Sequence, residues 1–123
     1  PRRLDGLTVL CVDNDATILA GLAALLEDWG CRVLQARSEA EAHARLDPDT
    51  VPDAMLVDYQ LDDDENGFDV IAALDGRWDD AVPAVLMTAN HDPAVRQRAL
   101  DAGLVFLQKP IDARTLHDTL TNL

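Results

Sequence analysis

The chain has 123 residues, 48% of them apolar and 27% charged, a composition that suits one folded domain and excludes a disordered, collagen-like or mucin-like polymer. Its 23 acids against 10 bases leave a formal charge of −13, which would repel a nucleic-acid backbone and an anionic membrane surface alike. No apolar run of roughly eighteen residues occurs, and Pro1 to Gly6 lacks the apolar stretch of a leader, so a soluble cytoplasmic domain without direct nucleic-acid or membrane contact is expected.

Thr8-Val9-Leu10-Cys11-Val12 is a short, uninterrupted apolar run of the kind that forms a central strand. Ile18, Leu22, Leu25, Leu26 and Trp29 then share one helical stripe, which Gly30 ends. Cys31 to Ala36 predicts a second strand, more polar and so suited to a sheet edge. Ser38 with Glu41 forms a capping box for a second helix reaching about Leu46, and Pro48 and Pro52 bracket the loop beyond it. Ala54 to Val57 predicts a third strand. After the acidic loop Asp62 to Glu65, a third helix starts near Gly67, buries Phe68, Ile71 and Leu74, and ends by Gly76. Ala84 to Met87 predicts a fourth strand. Asp92-Pro93 supplies the N-cap and first residue of a fourth helix, closed by Gly103. Leu104 to Leu107 predicts an edge strand, and Asp112 caps a last helix containing Leu116 and Leu120. Cys11 and Cys31 sit in apolar runs without metal-ligand spacing and read as buried free thiols.

The order is (βα)5, an α/β fold. Right-handed crossovers between parallel strands give a doubly wound sheet, and ligands of such sheets gather beyond the carboxyl ends of the strands. At those ends stand Asp13, Asn14 and Asp15 after the first strand, Asp58 after the third, Thr88 after the fourth, and Lys109-Pro110 after the fifth. Nine of the ten bases are Arg and Lys109 is the single Lys, which marks a place for a compact ammonium unless chance put it there. Clustered carboxylates repel one another unless a divalent ion neutralises them, an Asp can attack phosphorus, and a hydroxyl with an ammonium can hold the phosphoryl oxygens.

Val12-Asp13-Asn14-Asp15, Val57-Asp58-Tyr59, Met87-Thr88-Ala89 and Gln108-Lys109-Pro110, in that order, resemble the receiver domain of two-component response regulators, the chemotaxis-regulator-like fold, from Leu7 to about Leu120. The resemblance implies a single receiver domain over residues 1–123 with its core at about 7–120, and a flavodoxin-like five-stranded parallel sheet of order 2-1-3-4-5. It implies a phosphoacceptor signalling domain that takes a phosphoryl group from a histidine kinase or histidine phosphotransfer domain onto Asp58. Such a domain catalyses its own phosphotransfer and dephosphorylation without being a conventional enzyme. Mg2+ (or Mn2+) would be held by Asp13, Asn14, Asp58 and the Gln60 carbonyl. Lys109 would bind the phosphoryl group, Thr88 and Phe106 would act as the switch, and the fourth helix, fifth strand and fifth helix would offer a dimer surface. Lys109-Pro110 resembles the family's cis peptide.

Two positions depart from the family pattern. Asn14 stands where most members carry a second acid, and the loop Gln60 to Asn66 replaces a Met-Pro pair, so that Gly67 comes one residue late. This acidic loop and the Asp-Asn-Asp triplet are similar to those of receivers fused to hybrid sensor histidine kinases.

Other readings compete residue by residue. Asp15 could simply cap the first helix, Thr88 could be an ordinary strand residue, and Phe106 could be plain core. His43, His91 and His117 have polar neighbours and read as surface residues, and the acidic loop as a solvated face. Asn14 also admits a degenerate receiver that acts only as a protein-binding module. Asp13-Asn14-Asp15-Ala16-Thr17 resembles the DxDxT signature of haloacid dehalogenase-type phosphatases, but that family needs a later acidic pair, whereas only Asp112 and Asp118 follow Lys109, and it leaves Asp58 without a role.

Overall fold

Strands buried on both faces need unbroken apolar runs, and the first, third and fourth runs of the sequence take the three inner places of the sheet. The computed structural model describes residues 4–123; Pro1, Arg2 and Arg3, part of the terminus expected to lack a leader, lie outside them. The elements alternate as β1 (Thr8–Val12), α1 (Ala16–Asp28), β2 (Arg32–Ala36), α2 (Glu39–Arg45), β3 (Ala54–Asp58), α3 (Gly67–Asp75), β4 (Ala84–Thr88), α4 (Pro93–Asp101), β5 (Val105–Gln108) and α5 (Ala113–Thr121). All strand pairs are parallel, in the order β2-β1-β3-β4-β5. Every residue of β3 and β4 is buried, while β2 and β5 keep exposed positions as edges should.

Successive strand residues face opposite sides, so the sheet separates two aliphatic cores. Leu10, Val12, Met55, Val57 and Leu86 meet Phe68, Ile71 and Leu74 of α3 and Val95 of α4. Val9, Cys11, Leu56, Val85 and Met87 meet Leu19, Leu22 and Leu26 of α1 and Leu116 and Leu120 of α5. The few aromatics tie helices together at the margins. Trp29 packs edge-on against His117, and the Arg98 guanidinium lies 4.0 Å over the Phe68 ring.

The boundaries differ from the sequence reading by one residue, each for a hydrogen-bonding reason. Cys31 and Leu104 fall outside β2 and β5 because their N–H groups close the preceding helices, onto Leu26 and Ala99 carbonyls. Gly30 and Gly103, at φ +90° and +76°, make those reversals. In the other direction, β3 and β4 run one residue further, so that Asp58 and Thr88 are the last residues of the sheet. Cys11 and Cys31 are buried free thiols, as expected, and burial, helped by Cys31 and Asp13, pushes the Cys11 thiol up to about 12. Among the described residues no helix is long and apolar enough to cross a membrane.

Gly67 opens α3 hard against the end of β3. A Cβ there would sit 2.5 Å from the Asp58 carbonyl oxygen and 2.7 Å from Leu86 Cδ1, and backbone cannot give way as a side-chain tip can. Gly67→Ala should therefore destabilise the fold by about 2 kcal/mol, read as a lower urea midpoint.

Candidate functional site

The ends of β1, β3, β4 and β5 converge on one cleft of about 360 Å³ that contains Asp13, Asn14, Asp15, Asp58, Gln60, Thr88 and Lys109. Asp13 is fully buried; its Oδ1 accepts from the Asp15 N–H at 2.9 Å and its Oδ2 from Lys109 Nζ at 2.8 Å. Asp58 is 6% exposed, with Oδ1 3.2 Å from the same ammonium. Lys109 therefore bridges both carboxylates from the far edge of the sheet. Its own N–H donates to the Thr88 carbonyl at 2.8 Å, and a cis peptide joins it to Pro110. Thr88 is buried, and its Oγ1 accepts from the Asn90 N–H at 2.9 Å, which leaves the hydroxyl proton free to be donated.

Burial raises the Asp58 carboxyl above the ordinary value, and the charge of Asp13 adds to that; the Lys109 ammonium and the Gln60 N–H oppose it without cancelling it. Burial works against the Lys109 charge, but the hydrogen bond to Asp13 and the attraction of both carboxylates outweigh it and hold its value up. The carboxylates of Asp13, Asp15 and Asp58 outnumber the single Lys109 ammonium, so the cleft carries negative charge in excess. All-oxygen donors with uncompensated negative charge suit a hard divalent cation, and the Asp13 and Asp58 carboxylates, the Asn14 amide and the Gln60 backbone line this cleft.

Six of the seven candidate positions thus meet, and Phe106 does not. It is half-buried in a separate cavity of about 530 Å³ with Asn90, His91, Arg96 and Gln108. Phe106 pairs with Leu86, and Gln108 with Thr88, so Phe106 and Thr88 lie one side-chain repeat apart on the same face of the sheet. Asp15 is the N-cap of α1, its carboxylate accepting from the Thr17 and Ile18 N–H groups. Asp15 lines the cleft as well, with the other oxygen of its carboxylate free of the cap. His91 is exposed, while His43 and His117 are half-buried with side-chain partners, Glu39 and Arg77 for His43 and Trp29 for His117.

Three participants escape sequence reasoning. Asn90 holds the Thr88 hydroxyl, Gly67 fixes the turn behind Asp58, and Asp62 Oδ1 accepts from Asn14 Nδ2 at 3.0 Å. Only Gly67 carries a signal in the sequence, as a glycine at a helix start. The loop is also why Gly67 comes late: Asp63 and Asp64, at φ +57° and +61°, turn the chain, and Gln60 pairs with Asn66 so that the Gly67 N–H still reaches the Tyr59 carbonyl.

Residues 9–121 match the response regulator receiver domain. The chain belongs to that family. It is 37% identical over 109 residues to the acid tolerance regulatory protein ActR of Rhizobium meliloti, covering 86% of this chain and 54% of that protein. It is 34% identical over 117 residues to the transcriptional regulatory protein ZraR of Salmonella typhimurium, covering 93% of this chain and 25% of that one. The receiver thus spans between a quarter and about half the length of these curated relatives. Its fold superposes on a response regulator receiver protein from Burkholderia phymatum with a TM-score of 0.79 at 32% identity, covering 93% and 91% of the two chains. It is a phosphoacceptor domain of the two-component type. Receivers interact with histidine kinases or phosphotransfer proteins and generally bind Mg2+ for phosphorylation.

The raised Asp58 carboxyl has a consequence for stability. Because its charged form is less favoured in the folded than in the unfolded receiver, it costs stability above its folded value, and that cost disappears as pH falls below the ordinary carboxylate range. Without divalent ions, Asp58→Asn should melt at a higher temperature than the parent near pH 7, and the gap should close on acidification.

Proposed function

We propose that Asp58 is the phosphoacceptor, that Asp13, Asn14, Asp58 and the Gln60 carbonyl hold Mg2+, and that Lys109 and Thr88 receive the phosphoryl oxygens. The observation that supports this best is the Lys109 ammonium, 2.8 Å from Asp13 and 3.2 Å from Asp58, with the Thr88 hydroxyl in the same cleft. An Asp58 oxygen attacks the phosphorus of a phosphohistidine; the O–P bond forms, the N–P bond breaks, and the imidazole leaves with its electron pair. A bound Mg2+ supplies charge neutralisation between the carboxylates and the incoming phosphoryl group. Lys109 keeps its place as the compact cation, passing from the Asp58 carboxylate to the new phosphoryl oxygens, and Thr88 donates its free hydroxyl proton to another.

Phosphorylation then draws Thr88 toward the site and gives Phe106 room to turn, which alters the face of α4, β5 and α5. Leu100 and Val105 are 53% and 36% exposed on α4 and β5, and such apolar area supports a dimer or partner contact through this face. The donor is a histidine kinase or a histidine phosphotransfer domain, and the acidic surface argues against direct nucleic-acid contact by this domain.

With a small phosphodonor and Mg2+, intact mass should show one acid-labile phosphoryl group that Asp58→Asn abolishes. Labelling that survives this change but not Asp13→Asn would point to the phosphatase reading, and no labelling of the parent to a degenerate binding module. Lys109→Arg should slow labelling by about 100-fold, because the planar fork cannot replace a compact ammonium in this space. Thr88→Ala should leave Asp58 phosphorylatable yet silence the amide shifts of residues 94–120 that a beryllofluoride mimic of the acyl phosphate produces in the parent.

A further inference from the structure

Asn14 lines the phosphorylation cleft at the place where a neutral amide stands among carboxylates. A primary amide has two ends of opposite character, and only the oxygen can serve a hard cation; turned the other way, the amino group would face the ion and repel it. The end presented to the cleft is therefore a matter of what holds the other end. Here Nδ2 donates to Asp62 Oδ1 at 3.0 Å, a contact across 48 residues of sequence, which commits the amino end to the acidic loop and leaves Oδ1 as the available end.

The acceptor is itself fixed. Glu65 N–H donates to the Asp62 carbonyl at 3.1 Å and Leu61 N–H to the Glu65 carbonyl at 2.9 Å, closing the loop upon itself. The Glu65 carboxylate accepts from the Glu39 N–H at 3.0 Å, anchoring the loop to the start of α2. Asp63 and Asp64 take the left-handed conformation that lets four acids fit this turn while Gln60 and Asn66 stay paired beneath it.

We propose that Asp62 is a positioning residue for the cation site: its carboxylate orients the Asn14 amide so that Oδ1 faces the ion, and thereby lets an amide stand in for the missing acid. The inference rests on the reading of Asp13, Asn14 and Asp58 as the Mg2+ set. It assigns the acidic loop a task at the site in place of a purely solvated face, and it requires Asp62 and Asn14 to act as a pair.

The test is a titration of the unphosphorylated receiver with Mg2+ by calorimetry, in a cycle of variants. Asp62→Ala should weaken Mg2+ affinity about tenfold, as loss of an outer partner of a ligand does. Asp63→Asn removes the same charge from the same loop while keeping a residue that tolerates the left-handed backbone, and should change affinity far less. Asp62→Asn retains an acceptor oxygen for Asn14 Nδ2 and should stay near the parent. In an Asn14→Asp background the pair becomes two like charges, so Asp62→Ala should no longer weaken binding. The Asn14 side-chain amide protons, resolved as a distinct pair in the parent without metal, should move to free-amide shifts in Asp62→Ala. Equal losses from Asp62→Ala and Asp63→Asn, or an Asp62→Ala loss that persists in the Asn14→Asp background, would overturn the positioning role and leave only loop charge. Failure of the parent to bind Mg2+ in an Asp13- and Asp58-dependent way would instead overturn the reading of the site itself. Thermal melts without Mg2+ confirm that each exposed-loop variant is folded before it is titrated.

Discussion

The contact on which the rest depends is the Lys109 ammonium held between the Asp13 and Asp58 carboxylates. Two acids at the ends of adjacent buried strands cannot both be charged there without a cation between them. Lys109 leaves β5 at the sheet edge, and its flexible stem returns the charge past β4 to β3 and β1. The stem works because the strand ends are fixed: its own N–H is bonded to the Thr88 carbonyl, and Gly67 clamps the backbone of Asp58 from behind. A fold that misplaced any of these ends would leave a buried carboxylate unpaired, which is more costly than an absent pair.

Replacing an acid by Asn14 changes this balance. A carboxylate at position 14 would raise the excess negative charge and with it the repulsion within the cleft. With the amide, the cleft is closer to neutral than a carboxylate there would leave it. The carboxylate of Asp62 lies one hydrogen bond further out, where solvent screens its repulsion and where it still acts on the amide's orientation.

Much of the fold is legible in the sequence because its strands are unbroken apolar runs and its helices carry caps: Asp15, Ser38, Asp92 and Asp112 all bond the first-turn N–H groups their spacing suggests. Strand ends are less legible. Asp58 and Thr88 belong to the ladder by their backbone but to the cleft by their side chains, and a pattern of apolar residues stops one position short of such a residue. Asp58 itself stands out because an acid directly after Met55-Leu56-Val57 has no local use. Asp62 does not stand out, since exposed groups far apart in sequence leave no periodic trace, and Phe106 reads as core whether or not a cavity lies beside it.

The same economy of contacts governs the route out of the site. The Asn90 N–H donates to Thr88 Oγ1, the Asp92 N–H to Asn90 Oδ1 at 2.7 Å, and the Ala94 N–H to Asp92 Oδ1 at 2.9 Å, so three successive side-chain acceptors run from the cleft to the first turn of α4. On the proposed mechanism, Thr88 donates the hydroxyl proton that the Asn90 contact leaves free, and its shift toward the phosphoryl oxygen pulls Oγ1 away from the Asn90 N–H. An exchange of that kind costs about 1 kcal/mol for the lost neutral bond, and a bond to a charged oxygen returns roughly twice that. The two arrangements therefore differ by little, and the sign of the difference depends on whether the phosphoryl group is present. On that mechanism, a difference of that size would let a phosphoryl group on Asp58 shift the contacts at the start of α4 without disturbing either aliphatic core.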